Sequence, residues 1–219
     1  MSDDLYDVIF RVAAVLEVPV IVLALVALVV VVLEAGAFTT ETLRRRGRKL
    51  SVLVERAAQA REQIDRGERV EARTTLAAIE RSSTMGEVLD LFATRAGTPG
   101  SEPLLAKLLA DFDFAQQRTL GRTRLLVRVG PALGLMGTLI PLSPALEGLA
   151  KGNVETLTVN LRVAFSITVL GLLVGAVAFA ISLARDRIYG HDYSDLEYVA
   201  AVLTSADDPA DPVETSRAR

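Results

Sequence analysis

Apolar and polar residues fall along this chain in blocks, not at the short period of a surface helix or strand. Between Glu17 and Glu34 runs "VPVIVLALVALVVVVL", about sixteen uncharged residues, extendable through Ala35 to Phe38 toward the roughly twenty that cross a hydrocarbon core. A second block of about eighteen lies between Arg128 and Glu147, and a third, "VAFSITVLGLLVGAVAFAISLA", fills about twenty-two positions between Arg162 and Arg185. The pattern predicts an all-α membrane protein with transmembrane helices at 18–38, 128–147 and 160–184, an N-terminal segment at 1–17 and a short loop at 148–159. A cleaved signal peptide would begin with basic residues; "MSDDLYD" is acidic and no small-residue cleavage site follows the first block, so the first helix is expected to be retained.

The polar stretch 39–127 reads as a helical region. Residues 50–79 place Leu53, Ala57 or Ala60, Ile64, Leu76 and Ile79 at helical spacing among many Arg and Glu. A second run, 85–95, gathers Val88, Leu89, Leu91 and Phe92, and "AGTPGSEP" after it has the composition of a turn. From Glu102 the pattern resumes with Leu104, Leu105, Leu108, Leu109 and Phe112, and nothing stops it before Gly130, which predicts one long helix continuing into the second span. Residues 185–219 carry the end of the third helix and then a tail, "TSADDPADPVETSRAR", with no apolar face to bury and so an expectation of disorder.

Charge adds a direction. Arg and Lys crowd one end of every span: "RRRGRK" (44–49), then Arg122, Arg124 and Arg128, then Arg185 and Arg187. The other ends carry Asp3, Asp4, Asp7 and Glu17, then Glu147, Lys151 and Glu155. By the positive-inside rule, residues 39–127 and the C-terminus lie in the cytoplasm, and the N-terminus and short loop lie outside the cell membrane. The basic run is a topology anchor that also suits anionic lipid.

Composition removes whole classes of chemistry. A net charge of -3 argues against nucleic-acid binding, the lack of cysteine removes thiolate catalysis and Cys-based metal sites, and a single histidine, His191, cannot form a metal cluster. No nucleophile stands with a base and no phosphate loop is present, so neither an enzyme nor a cofactor is expected.

Small and polar residues in the second and third spans are ordered. Steps of three or four give Gly130, Gly134, Thr138, Pro141, Ala145 and Gly148 in one, and Asn160, Ala164, Thr168, Gly171, Gly175, Ala178 and Ser182 in the other. Val163, Ile167, Leu170, Val174, Val177 and Ile181 form an opposite face of the third span, suited to lipid or bulky packing. Pairs such as Gly130-xxx-Gly134 and Gly171-xxx-Gly175 serve ordinary helix packing. Two features point further: each stripe carries a threonine near mid-membrane depth, and Pro141 and Pro144 free backbone carbonyls, which is tolerated where protein or water satisfies them. The stripes are therefore read as a polar lining shared with another chain, and the prolines as kinks.

At these residues the sequence resembles the MotA/TolQ/ExbB proton-channel family. "LGLMGT" (133–138) is similar to the family's Leu-Gly-Leu-x-Gly-Thr segment, and "AFSITVLGL" (164–172) to its Ala-Leu-x-x-Thr-x-x-Gly-Leu segment. The resemblance covers about 129–188, with three-helix layout in common. It implies a homo-oligomer, a pentamer, whose second and third helices surround single-span MotB/TolR/ExbD-like partners and couple proton or sodium entry to mechanical work. The family's pore-facing threonines map onto Thr138 and Thr168, with Gly134, Pro141, Ala145, Asn160, Ala164, Gly171 and Gly175 on the pore-facing small stripe. Some members carry a glutamate where this chain has Val163, next to Arg162.

No carboxylate lies between Arg128 and Glu147 or between Arg162 and Arg185. A proton relay across hydrocarbon needs a titratable group, and threonine holds no charge, so the acid must come from a partner, in the family an aspartate. Glu34, the most membrane-buried acid of this chain, is expected to snorkel toward residues 44–46, Glu147 to sit at the opposite interface and His191 to be a surface residue. The rival reading is a non-conducting oligomeric scaffold that recruits soluble partners through its cytoplasmic helices.

Overall fold

The computed structural model describes residues 8, 11–12, 15–45 and 50–205. The readings made on the acidic start, on most of the basic run and on the tail beyond Ser205 lie outside the described residues. Among those described the chain is helical: α1 (Glu17–Arg44), α2 (Leu50–Asp65), α3 (Arg69–Ala77), α4 (Ser83–Arg95), α5 (Ser101–Ala150) and α6 (Val154–Thr204). Helices α1, α5 and α6 are each long and apolar enough to cross a membrane. The chain divides into two compact units, one of residues 1–40 and 119–185, the other of 41–118 and 186–219, and α5 and α6 contribute to both.

The second unit has an ordinary buried core. Leu53, Ala57, Ala60 and Ile64 recur at steps of three or four on α2 and turn one face inward, where they join Leu76 of α3 and Met85, Leu89 and Phe92 of α4. Leu105, Leu109 and Phe112 from the start of α5 complete this core with Leu196, Val199 and Leu203 from the end of α6.

The single helix expected over 50–79 is two. Gly67 has φ +81°, its amide reaches the Ile64 carbonyl at 2.9 Å, and the Glu68 amide reaches Gln63 at 2.8 Å. These two bonds form a Schellman closure, which a glycine in the left-handed region permits. The spacing of Leu53 to Ile79 is helical on both sides of the break, which is why periodicity alone passed over it. Helix α4 begins where Ser82 accepts the Met85 amide at 3.2 Å, a side-chain cap for an otherwise unpaired donor. Two arginines serve helix C-termini in the same way: Arg69 donates to the carbonyls of Ala93, Thr94 and Ala96, and Arg61 to that of Leu203.

The loop expected at 148–159 shrinks to residues 151–153. Gly152 has φ +73° and closes α5 with the same pair of bonds, Gly152 to Leu149 at 2.9 Å and Asn153 to Gly148 at 2.8 Å. The Asn153 side chain then accepts the Thr156 amide at 3.1 Å and starts α6. Two adjacent residues end one span and begin the next. Helix α5 runs as expected from the polar region into the apolar span, and it continues unbroken through Pro131, Pro141 and Pro144.

Phe92→Ala empties the centre of the second unit and should cost about 3–5 kcal/mol, whereas Val70→Ala, at a 73 % exposed position, should stay within about 0.5 kcal/mol. Thermal unfolding of the full chain in detergent measures both.

Candidate functional site

In the membrane-spanning unit the two glycine stripes meet each other. A Cβ placed on Gly171 would lie 2.5 Å from the Gly130 carbonyl oxygen and 2.7 Å from the Gly134 Cα; one on Gly175 would lie 2.8 Å from the Pro131 ring. The backbones of α5 and α6 thus touch directly, as small-xxx-small pairs allow. Gly137 is closed by the Ile167 side chain.

Within one chain, the stripe expected to face the pore takes part in this seam. Gly134, Pro141, Ala145, Ala164, Gly171 and Gly175 are buried within the chain, with Ala145 fully covered, and their small size is accounted for by intrachain packing. Asn160 is half-buried. The opposite face of α6, expected to suit lipid or bulky packing, is packed: Ile167, Val174 and Ile181 are buried, two of them in one cluster with Val20, Ala24, Ala27 and Val31 of α1. With two neighbours to contact, α6 leaves a third face outward, that of Phe165, Val169, Leu172, Phe179 and Leu183.

Thr138 and Thr168 are both half-buried, and Thr168 lies at this seam. The Thr138 hydroxyl donates to the Leu135 carbonyl at 2.7 Å. The Thr168 hydroxyl lies 3.0 Å from the Ala164 carbonyl on its own helix and 3.2 Å from that of Gly134 across the seam. A hydroxyl has one proton and two lone pairs, so each threonine spends its donor on backbone and keeps acceptor capacity. Both sites suit a donor: a protonated carboxyl, a water or a hydrated cation. Pro141 and Pro144 bring no N–H to the carbonyls of Gly137 and Ile140, which adds two acceptors to the same stretch of α5.

Glu34 was expected to reach toward residues 44–46, of which 46 and the side chain of 44 lie outside the described residues. Its carboxylate accepts from Arg185 Nη1 at 2.6 Å, and the same nitrogen donates to Thr123 Oγ1 at 3.1 Å. Arg185 is only 4 % exposed, with its guanidinium 5.9 Å from the centre of the Phe38 ring. A residue read from sequence as a flanking charge thus ties α1, α5 and α6 together. Sequence held one signal for this, an acid inside the first apolar block facing an arginine at the end of the third.

A second ionic cluster lies in the other unit. Asp192 and Asp195, each 1 % exposed, accept from Arg45 (2.6 Å to Asp192) and from Arg81, which is paired with Asp195. Burial alone would pull the Arg45 guanidinium down; the hydrogen bond and charge of Asp192, joined by those of Glu41, outweigh it and raise its pKa above the ordinary arginine value. His191, beside this cluster in sequence, is exposed as expected.

The fold and its seam define a multi-pass helical membrane protein. Residues 104–189 match the model of the MotA/TolQ/ExbB proton channel family, a stretch that takes in nearly all of α5 and the membrane part of α6. Comparison with curated proteins gives no match.

Gly171→Ala should lower the thermal stability of the detergent-solubilised chain, because the added carbon meets backbone. Gly36→Ala, where a Cβ meets nothing within 4 Å, should be neutral or stabilise by about 0.5–1 kcal/mol.

Proposed function

We propose that this chain is the ion-conducting, stator-type subunit of an assembly that couples proton or sodium entry to mechanical work. The observation that carries this reading is the pair of mid-span threonines, Thr138 and Thr168, whose hydroxyl donors are spent on backbone while their lone pairs remain for a titrating or hydrated guest. They fall in a segment that matches a proton channel family. The two helices carry no carboxylate in their apolar spans, so the charge-holding group belongs to a partner, proposed as a single-span subunit with a membrane aspartate. Copies of this chain, five by resemblance, would surround that partner, with the arginine-flanked ends of the spans in the cytoplasm and the N-terminus outside. Because the glycines serve the seam, the lining role falls on the threonines and on the groups at the seam's edges.

Thr138→Val removes a polar atom at nearly constant shape. Proton flux into vesicles that hold the full chain with its co-purified partner, read with an internal pH-sensitive dye, should fall about tenfold or more, the weight of one hydrogen bond to a charged group. Thr168→Val should do the same while the oligomer stays intact by size-exclusion chromatography. Unchanged flux in both variants would remove the threonines from the path.

A further inference from the structure

The arginines that flank the membrane unit have different fates. Arg185 is 4 % exposed and held by Glu34 and Thr123. Arg122 and Arg128, on α5, are exposed, and among the described residues neither has a hydrogen bond or an ion pair. Arg124, between them in sequence, is exposed and has an interaction of its own. Helix α5 carries no acid from Phe114 to Leu146, so it supplies no counter-charge itself.

Steps of three and four from Arg122 give Leu125, Arg128, Ala132, Met136 and Leu139, one line along α5 with every member on the surface. Thr138 lies off this line. Inside the span the line is wholly apolar; just outside it, Leu125 is 61 % exposed between two cations. A positive flank that only orients the chain explains the charges but not an exposed leucine set among them. Basic and apolar side chains mixed on one helix face suit the layer where headgroups meet acyl chains. Arg128 stands at the edge of the apolar block that opens at Val129. At about 1.5 Å per residue Arg122 lies about 10 Å from that edge, the polar layer on each side of the hydrocarbon is about 5–8 Å deep, and a long arginine side chain spans the difference.

We propose that this line of α5 is a binding site for an anionic phospholipid, whose phosphate is held by Arg122 and Arg128 while its acyl chains lie along Ala132, Met136 and Leu139. The site stands whether or not the chain conducts ions. A guanidinium matches a phosphate with paired N–H donors and is weakly hydrated, so it gives up little on leaving water for the headgroup layer. A second copy of the chain would have to answer the same arginines with acids. The acids that flank this end of the spans, Glu34 and Asp186, are already engaged within the chain, so charge complementarity favours the lipid.

Native mass spectrometry of the full chain in neutral detergent, titrated with phosphatidylglycerol or with phosphatidylcholine of the same acyl chains, measures the preference. The parent chain should retain phosphatidylglycerol about thirtyfold more tightly, roughly five- to sixfold from each arginine. Arg122→Gln with Arg128→Gln should bring the two lipids to within about threefold of each other, whereas Arg122→Lys with Arg128→Lys, which keeps the charge, should retain most of the preference. Arg66→Gln with Arg73→Gln loses the same charge from exposed arginines that already meet Glu62, Glu68 and Asp90, and should bind as the parent does. Equal retention of both lipids by the parent overturns the proposal, as does an unchanged preference in the Arg122/Arg128 glutamine pair. An equal loss in the Arg66/Arg73 pair reduces the effect to net charge and overturns it too. Inorganic phosphate at millimolar concentration should leave the lipid bound; displacement makes this a site for free phosphate instead. A parent without lipid preference whose Arg122/Arg128 glutamine pair no longer assembles by size-exclusion chromatography assigns the arginines to a neighbouring copy and likewise overturns the lipid site.

Discussion

The membrane unit depends on one contact, the meeting of two backbones where Gly130 and Gly134 face Gly171 and Gly175. In hydrocarbon, apolar side chains gain nothing by leaving lipid for each other, so helices associate through close packing and polar contacts. Here the packing is as close as the chain allows, since no Cβ fits at Gly171 without backbone movement. That closeness also brings the Thr168 hydroxyl within 3.2 Å of the Gly134 carbonyl on the neighbouring helix. Packing and polar chemistry in the seam are thus one arrangement.

Two charged nodes accompany the seam, one in each unit, and both use arginine to reach several partners at once. Arg185 serves a glutamate, a threonine and an aromatic ring; Arg45 serves Asp192, Glu41 and the Tyr189 ring. A planar guanidinium with several donors suits this better than a lysine ammonium would. Each node joins residues distant in sequence, 151 positions for Glu34 and Arg185 and 147 for Arg45 and Asp192.

That separation explains what could be read in advance. The three spans, the turn at Gly97 to Gly100 and the continuous α5 were legible because each depends on local composition. The break at Gly67 and the three-residue connection at Gly152 were written in single glycines inside otherwise helical patterns, a signal that periodicity averages away. The stripe of small residues was legible as a stripe, yet its partner was not: the same spacing serves a seam within one chain or a surface shared between chains, and only coordinates distinguish them. Thr138 and Thr168 stood out because polar atoms are scarce in these spans. Asp192 and Asp195 did not stand out, since an aspartate just beyond a membrane helix reads as solvated until its partners are known.

The connection of residues 151–153 bears on how the chain enters the bilayer. The second span, which holds three prolines and several glycines, is the least apolar of the three and the least suited to partition into lipid alone. Gly152 and Asn153 fasten it to the strongly apolar third span with no slack between them. The two spans are thus built as a hairpin in which the more lipophilic arm lies against the less lipophilic one and their backbones cover each other.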